Sequence, residues 1–137
     1  MIKRPVIFGK KRPSDINVAI IINAYYSAPH YIKQSLRLKE EFEQLGANAD
    51  IVRNDGFYGR IDGGEICTYF TDYSACIYLD KDKYLSEMLE RNGMTLFNSH
   101  ETIADCDDKM QTYIKLAGSG VDMPKTLPGL LCYNPYE

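Results

Sequence analysis

The chain lacks most of the features by which a function is usually read. Its two histidines, His30 and His100, and its four scattered cysteines, Cys67, Cys76, Cys106 and Cys132, form no Cys-x-x-Cys pair and no spacing suited to zinc. No metal site is therefore expected, and each cysteine is expected as a small buried hydrophobe in a reducing compartment. No apolar run approaches the roughly 20 residues of a membrane span. The start, Met1-Ile2-Lys3-Arg4-Pro5, does not lead into a signal-peptide core. A cytoplasmic protein without membrane contact is the expectation. Positive charge is not in excess: 16 Lys and Arg face 19 Asp and Glu, a net charge of −3. That balance argues against a general nucleic-acid binder. The basic cluster Lys3, Arg4, Lys10, Lys11 and Arg12 falls in residues 1–13, expected to be a flexible N-terminal segment. Internal repeats and low-complexity tracts are absent as well.

Two common nucleotide signatures are missing. After the first apolar run there is no Gly-x-Gly-x-x-Gly, and nowhere is there a Gly-x-x-x-x-Gly-Lys-Ser/Thr loop. A phospho-acceptor receiver would need acidic residues after its first strand, where Asn23-Ala24-Tyr25 stands instead.

What remains is enough for one folded domain: 137 residues, 45% apolar and 26% charged. Val18-Ala19-Ile20-Ile21-Ile22-Asn23 reads as a strand buried on both faces. Residues 28–45 follow with helical spacing of Tyr31, Leu38, Phe42 and Leu45, stopped by Gly46. Ala49-Asp50-Ile51-Val52-Arg53 completes a βαβ unit with a right-handed crossover. Residues 57–61 and 65–70 flank Asp62-Gly63-Gly64 as a hairpin that interrupts the alternation, an insertion or an edge. Residues 75–79 are a third core strand, 81–91 a helix, and 94–97 a fourth strand. A short helix over 100–105, capped by Asn98 or Ser99, precedes another carrying Met110, Tyr113, Ile114 and Ala117 and ending at Gly118-Ser119-Gly120. Pro124 and Pro128 exclude regular helix in the tail. The expected fold is α/β: three layers, a mostly parallel sheet with helices on both faces.

Open sheets of this kind hold ligands at the carboxyl ends of their strands. That edge is predicted to carry residues 23–27, 80–82 and 98–100, and Tyr25, Tyr26, Asp80 and Asn98 are the candidate substrate-binding residues by location. Asp80, Asn98 and Ser99 serve equally well as caps of the helices that follow. Asp107-Asp108-Lys109 puts a lysine in the first turn of a helix, where the macrodipole disfavours a cation by about 0.3–1 kcal/mol. Either the neighbouring Asp105, Asp107 and Asp108 neutralise it, or lysine and helix N–H groups form an anion site.

Gly93-Met94-Thr95-Leu96-Phe97-Asn98-Ser99, Ile103, Asp108-Lys109 and Gly120-Val121-Asp122-Met123-Pro124-Lys125-Thr126 together resemble the junction that precedes the catalytic domain of ATP-grasp carboxylate–amine ligases, in the branch of the ribosomal-protein glutamate ligases. The resemblance implies a Rossmann-like pre-ATP-grasp domain over residues 14–123, with 124–137 as a linker toward an ATP-grasp domain that the 137 residues do not contain. It implies a reaction in which ATP, with Mg²⁺, phosphorylates a carboxylate and an amine attacks the acylphosphate. It implies that Lys109 reaches the ATP phosphates. The partners are then small-molecule or peptide carboxylate and amine substrates, with no nucleic acid and no membrane. No catalytic residue and no metal ligand is expected in this part, which alone should not turn over ATP or hold either cofactor tightly. The alternative is a standalone α/β module that binds a small ligand or oligomerises, its eleven tyrosines offering material for a homo-oligomer interface.

Overall fold

A computed structural model describes residues 15–128. The basic N-terminal cluster, Cys132 and the end of the linker lie outside the described residues. The chain divides into two compact units, Met1–His100 and Glu101–Glu137.

In the first unit, β1 (Asn17–Asn23), α1 (Pro29–Gln44), β2 (Asn48–Asn54), β5 (Ala75–Tyr78), α2 (Lys83–Arg91) and β6 (Leu96–Phe97) alternate, with β3 (Gly59–Asp62) and β4 (Glu65–Thr68) inserted between β2 and β5. The main sheet has the order β2-β1-β5-β6 and its pairs are parallel. The protein is therefore α/β, as its alternating apolar runs predict. β1 lies inside the sheet because it is the most apolar strand: Val18, Ala19, Ile20, Ile21 and Ile22 are all buried. Burial contributes about 1.5–3 kcal/mol for each aliphatic side chain of this size. Leu38 and Phe42 of α1 pack against Val18, Ile20 and Ala49. From β1 the chain crosses through α1 to one side and from β5 through α2 to the other. Right-handed crossovers in opposite directions put the two helices on opposite faces of the sheet.

The hairpin forms its own two-stranded antiparallel sheet, register Asp62↔Glu65. Gly63 and Gly64 both have positive φ, +57° and +88°, the conformation of a two-residue type I′ turn. The hairpin packs on α2, and a methyl group at Gly59 would come within 2.8 Å of the Met88 sulfur, so glycine lets strand and helix approach.

In the second unit, α3 runs His100–Asp107 and α4 Lys109–Leu116. Thr112 Oγ1 donates to the Asp105 carbonyl at 2.6 Å, and the Lys115 ammonium meets Asp105 at 3.1 Å and Glu101 at 3.3 Å. These two carboxylates hold the Lys115 pKa above its ordinary value, chiefly through their hydrogen bonds to it. Neither helix has a fully buried residue.

Three expectations need correction. The buried residue of α1 is Ser35, whereas Leu45 is 72% exposed at the helix end. Helix α2 begins at Lys83, and its cap is Asp82, not Asp80. Cys76 is buried as expected, but Cys106 is exposed on α3, whose residues none are buried.

Candidate functional site

In a sheet ordered β2-β1-β5-β6 the strand order reverses between the parallel neighbours β1 and β5, and the crevice at their carboxyl ends is where such sheets receive ligands. Four polar side chains meet there. Asn23 ends β1, Asn54 ends β2, Asp80 lies two residues beyond β5, and Asp82 caps α2. Asp80 and Asn54 are each only 4% exposed.

The Asp80 carboxylate joins the strand ends. Its Oδ1 accepts from Asn23 Nδ2 at 3.0 Å and from the Lys81 N–H at 2.7 Å. Its Oδ2 accepts from Asn54 Nδ2 at 2.7 Å. Asn54 Nδ2 also reaches Asp82 Oδ2 at 3.1 Å, while Asn54 Oδ1 accepts from the Gly56 N–H at 3.0 Å. Asp82 Oδ1 takes the N–H groups of Tyr84 and Leu85, the first free donors of α2. The Tyr78 hydroxyl donates to the Asp82 carbonyl at 2.6 Å. Burial, with the Asp82 and Asp80 charges behind it, holds the Tyr78 pKa well above the usual phenol value. Among the described residues no buried side-chain polar atom lacks a partner.

Beside this network lies a hollow of about 280 Å³, lined by Asn54, Asp82, Tyr84, Leu85 and Met88, with the Gly56 and Gly59 backbone. Three aromatic side chains stand exposed on the loops and helix start at this edge: Tyr25 after β1, Phe57 after β2 and Tyr84 on α2.

The expected substrate-side residues fare unequally. Asp80 sits at the centre of the network. Tyr25 is tied to it indirectly, its N–H donating to Asn23 Oδ1 at 2.9 Å, while its ring is 78% exposed. Tyr26 is half-buried with its ring 5.0 Å from that of Tyr31. Asn98 is exposed, one residue past β6. Asn54 and Asp82 were not singled out by sequence, although Asn54 follows Arg53 at the end of the second predicted strand.

Lys109 belongs to the second unit. It is the first residue of α4 and is exposed. The Asp108 carboxylate accepts from the N–H groups of Met110 at 2.8 Å and Gln111 at 3.1 Å. Those donors are therefore engaged, and Lys109 offers a point charge without the helix-end N–H groups beside it. Of the neighbouring acids, Asp105 pairs with Lys115 and Asp108 caps the helix end. Removing the cap with Asp108→Ala is expected to cost about 1 kcal/mol. Amide hydrogen exchange should show it as faster exchange confined to the first turn of α4; unchanged protection there would contradict the capping geometry.

Cys76 is not a nucleophile at neutral pH: burial pushes its thiol up to about 12. Among the described residues no three His, Cys, Asp or Glu side chains group as metal ligands, and no helix is long and apolar enough to cross a membrane. No protein-family model matches the chain, and no curated protein matches it.

Proposed function

We propose that this chain is the substrate-side domain of an ATP-dependent carboxylate–amine ligase that works through an acylphosphate. The supporting observation is the order of elements around Lys109. A parallel strand, β6, ends beside Asn98; the short helix α3 follows; Asp108 then caps the helix that Lys109 opens. That succession is what the resemblance to the ATP-grasp family leads one to expect of the segment before the catalytic domain. The parallel sheet with an open carboxyl edge agrees with a domain that contributes to a substrate pocket.

In this reading ATP and Mg²⁺ are held by an ATP-grasp domain. ATP supplies the phosphoryl group that activates the carboxylate. This chain's own contribution is the Lys109 ammonium, which stabilises phosphate oxygens as a point charge, and the strand-end groups that position a substrate. Cytoplasmic location follows from the same reading, since ATP and its acceptors are met there.

The test is Lys109→Ala in a protein that carries both this chain and the ATP-grasp domain. ATP-dependent ligation is expected to fall at least about tenfold, about 1.4 kcal/mol of transition-state stabilisation, with the far-UV circular dichroism unchanged. Activity equal to the parent's would remove Lys109 from the site. The edge hollow also favours a second reading, a standalone module that binds a small ligand without ATP. The same ligation assay separates the two, because a standalone module binds its ligand but supports no ATP-dependent ligation.

A further inference from the structure

From the lining of the edge hollow, we infer that it is a site for a small primary amine with an apolar body, the ammonium at Asp82 and the body against Tyr84, Leu85 and Met88. At about 280 Å³ the hollow sits at the lower limit of the roughly 300–1,000 Å³ common for ligand pockets, which suits one small molecule. Its apolar surface is contiguous in sequence along α2, whose Leu85 is buried and whose Tyr84 ring is 67% exposed.

The polar lining decides the sign of the charge. Asn54, Asp82 and the Tyr84 hydroxyl bring hydrogen-bonding groups to it, and no lysine, arginine or histidine lines it among the described residues. An anion would look for free N–H groups at the start of α2, but Tyr84 and Leu85 already donate theirs to Asp82 Oδ1. The two Asn54 amide hydrogens point at Asp80 and Asp82. An anionic group would thus meet carboxylate charge and mostly engaged donors. An ammonium meets the remaining acceptor capacity of Asp82 Oδ2, which takes one bond from Asn54. The Lys83 ammonium lies over the Tyr84 ring, 5.4 Å from its centroid, so the ligand's charge belongs at Asp82 and the ring meets its apolar body.

Binding of an amine here does not depend on the ligase reading; its role as the attacking acceptor does rest on it. The experiment is a titration of the isotopically labelled chain with 2-phenylethylamine and, in parallel, with 3-phenylpropionate, followed by backbone amide resonances. The amine is expected to shift Gly56, Gly59 and Tyr84, and the acid to leave them in place. Asp82→Asn should weaken the amine at least about tenfold, since asparagine caps a helix as well as aspartate but carries no charge. Because Asp82 also receives Asn54, Tyr84→Ala serves as the second variant: its ring is exposed, its loss spares the network, and it should weaken the amine several-fold.

Equal binding of the acid, an unchanged dissociation constant in both variants, or no shift at these three amides overturns the inference. Lys109→Ala should leave amine binding untouched. Amine binding without ATP-dependent activity sinks the ligase reading alone; ligation of an amine that does not perturb the hollow sinks this inference alone.

Discussion

Replacing Asp80 by leucine is expected to remove on the order of 3 kcal/mol of stability, and on the order of 10 °C from the melting temperature of a domain this size. Three donors lose their acceptor at once: Asn23 Nδ2, Asn54 Nδ2 and the Lys81 N–H. A buried donor left without a partner costs about 1–3 kcal/mol. The losses do not sum in full, because Asn54 keeps Asp82 and Asn23 is only half-buried. Asp80→Asn is the sharper test. It preserves shape, yet both carboxylate oxygens face donors, so an amide nitrogen at either position opposes an N–H group. Asn54 cannot turn over to help, since its Oδ1 is engaged by Gly56. About half the leucine effect is expected. Urea unfolding followed by circular dichroism reads both, with an unchanged denaturant slope. If the two variants lie within about 0.5 kcal/mol of the parent, hydrogen bonds to Asp80 do not hold the strand ends together.

The same network shows how far the sequence could be read. The β-branched run at residues 18–22 has only one stable home, a strand covered on both faces, and the structure puts it there. Gly63-Gly64 likewise announces its turn, because positive φ at two successive residues suits glycine. Side-chain partners are harder, since they depend on neighbours distant in sequence. Asp80 and Asp82 are both plausible caps two residues apart, and what separates them is Asn54, 26 residues away from Asp80, donating to both. Ser35 misleads for a different reason. Its hydroxyl is satisfied by the Ile32 carbonyl of its own helix, so a polar residue is fully buried on the same face as Leu38 and Phe42, where periodicity in hydrophobicity does not register it. Lys109 is legible as a first-turn residue of a helix expected to start at Asp105 or Asp107. The structure starts that helix at Lys109 with Asp108 as its cap, which backbone geometry decides among adjacent acids.

Lys109 and the motif around it lie in the second unit, and the polar network and hollow lie in the first. A variant at Lys109 and a variant at Asp82 therefore probe different properties, phosphate chemistry in one case and amine recognition in the other.

Stability should fall steeply in alkali, and the sign follows from the buried Cys76 and Tyr78 and the half-buried Tyr73. Burial raises the Cys76 thiol from 9.0 to about 12. It also raises Tyr78, with help from Asp82 and Asp80, and raises Tyr73, whose hydroxyl donates to Asp50 at 3.2 Å. Each of these groups keeps its proton in the native state at a pH where the unfolded chain has released it. Above about pH 9 the unfolded state thus binds fewer protons, and the unfolding free energy decreases as pH rises. The stabilisation tied to Cys76 is intact below pH 9 and is lost between 9 and about 12, at no more than about 1.4 kcal/mol per pH unit. The tyrosines join above their ordinary value of 10.0, and Lys115, also raised, acts with the same sign above 10.5. Urea unfolding should give a flat stability from pH 7 to about 8.5 and a loss on the order of 3 kcal/mol by about pH 11, carried by Cys76 and Tyr78. The Cys76→Ala variant isolates the thiol. It begins from a lower stability because a buried side chain is truncated, but between pH 9 and 10, where the tyrosines with their ordinary value of 10.0 have only begun to titrate, its stability should fall about half as much as the parent's. A slope in that interval equal to the parent's would mean that the Cys76 proton is not held by burial in the sheet.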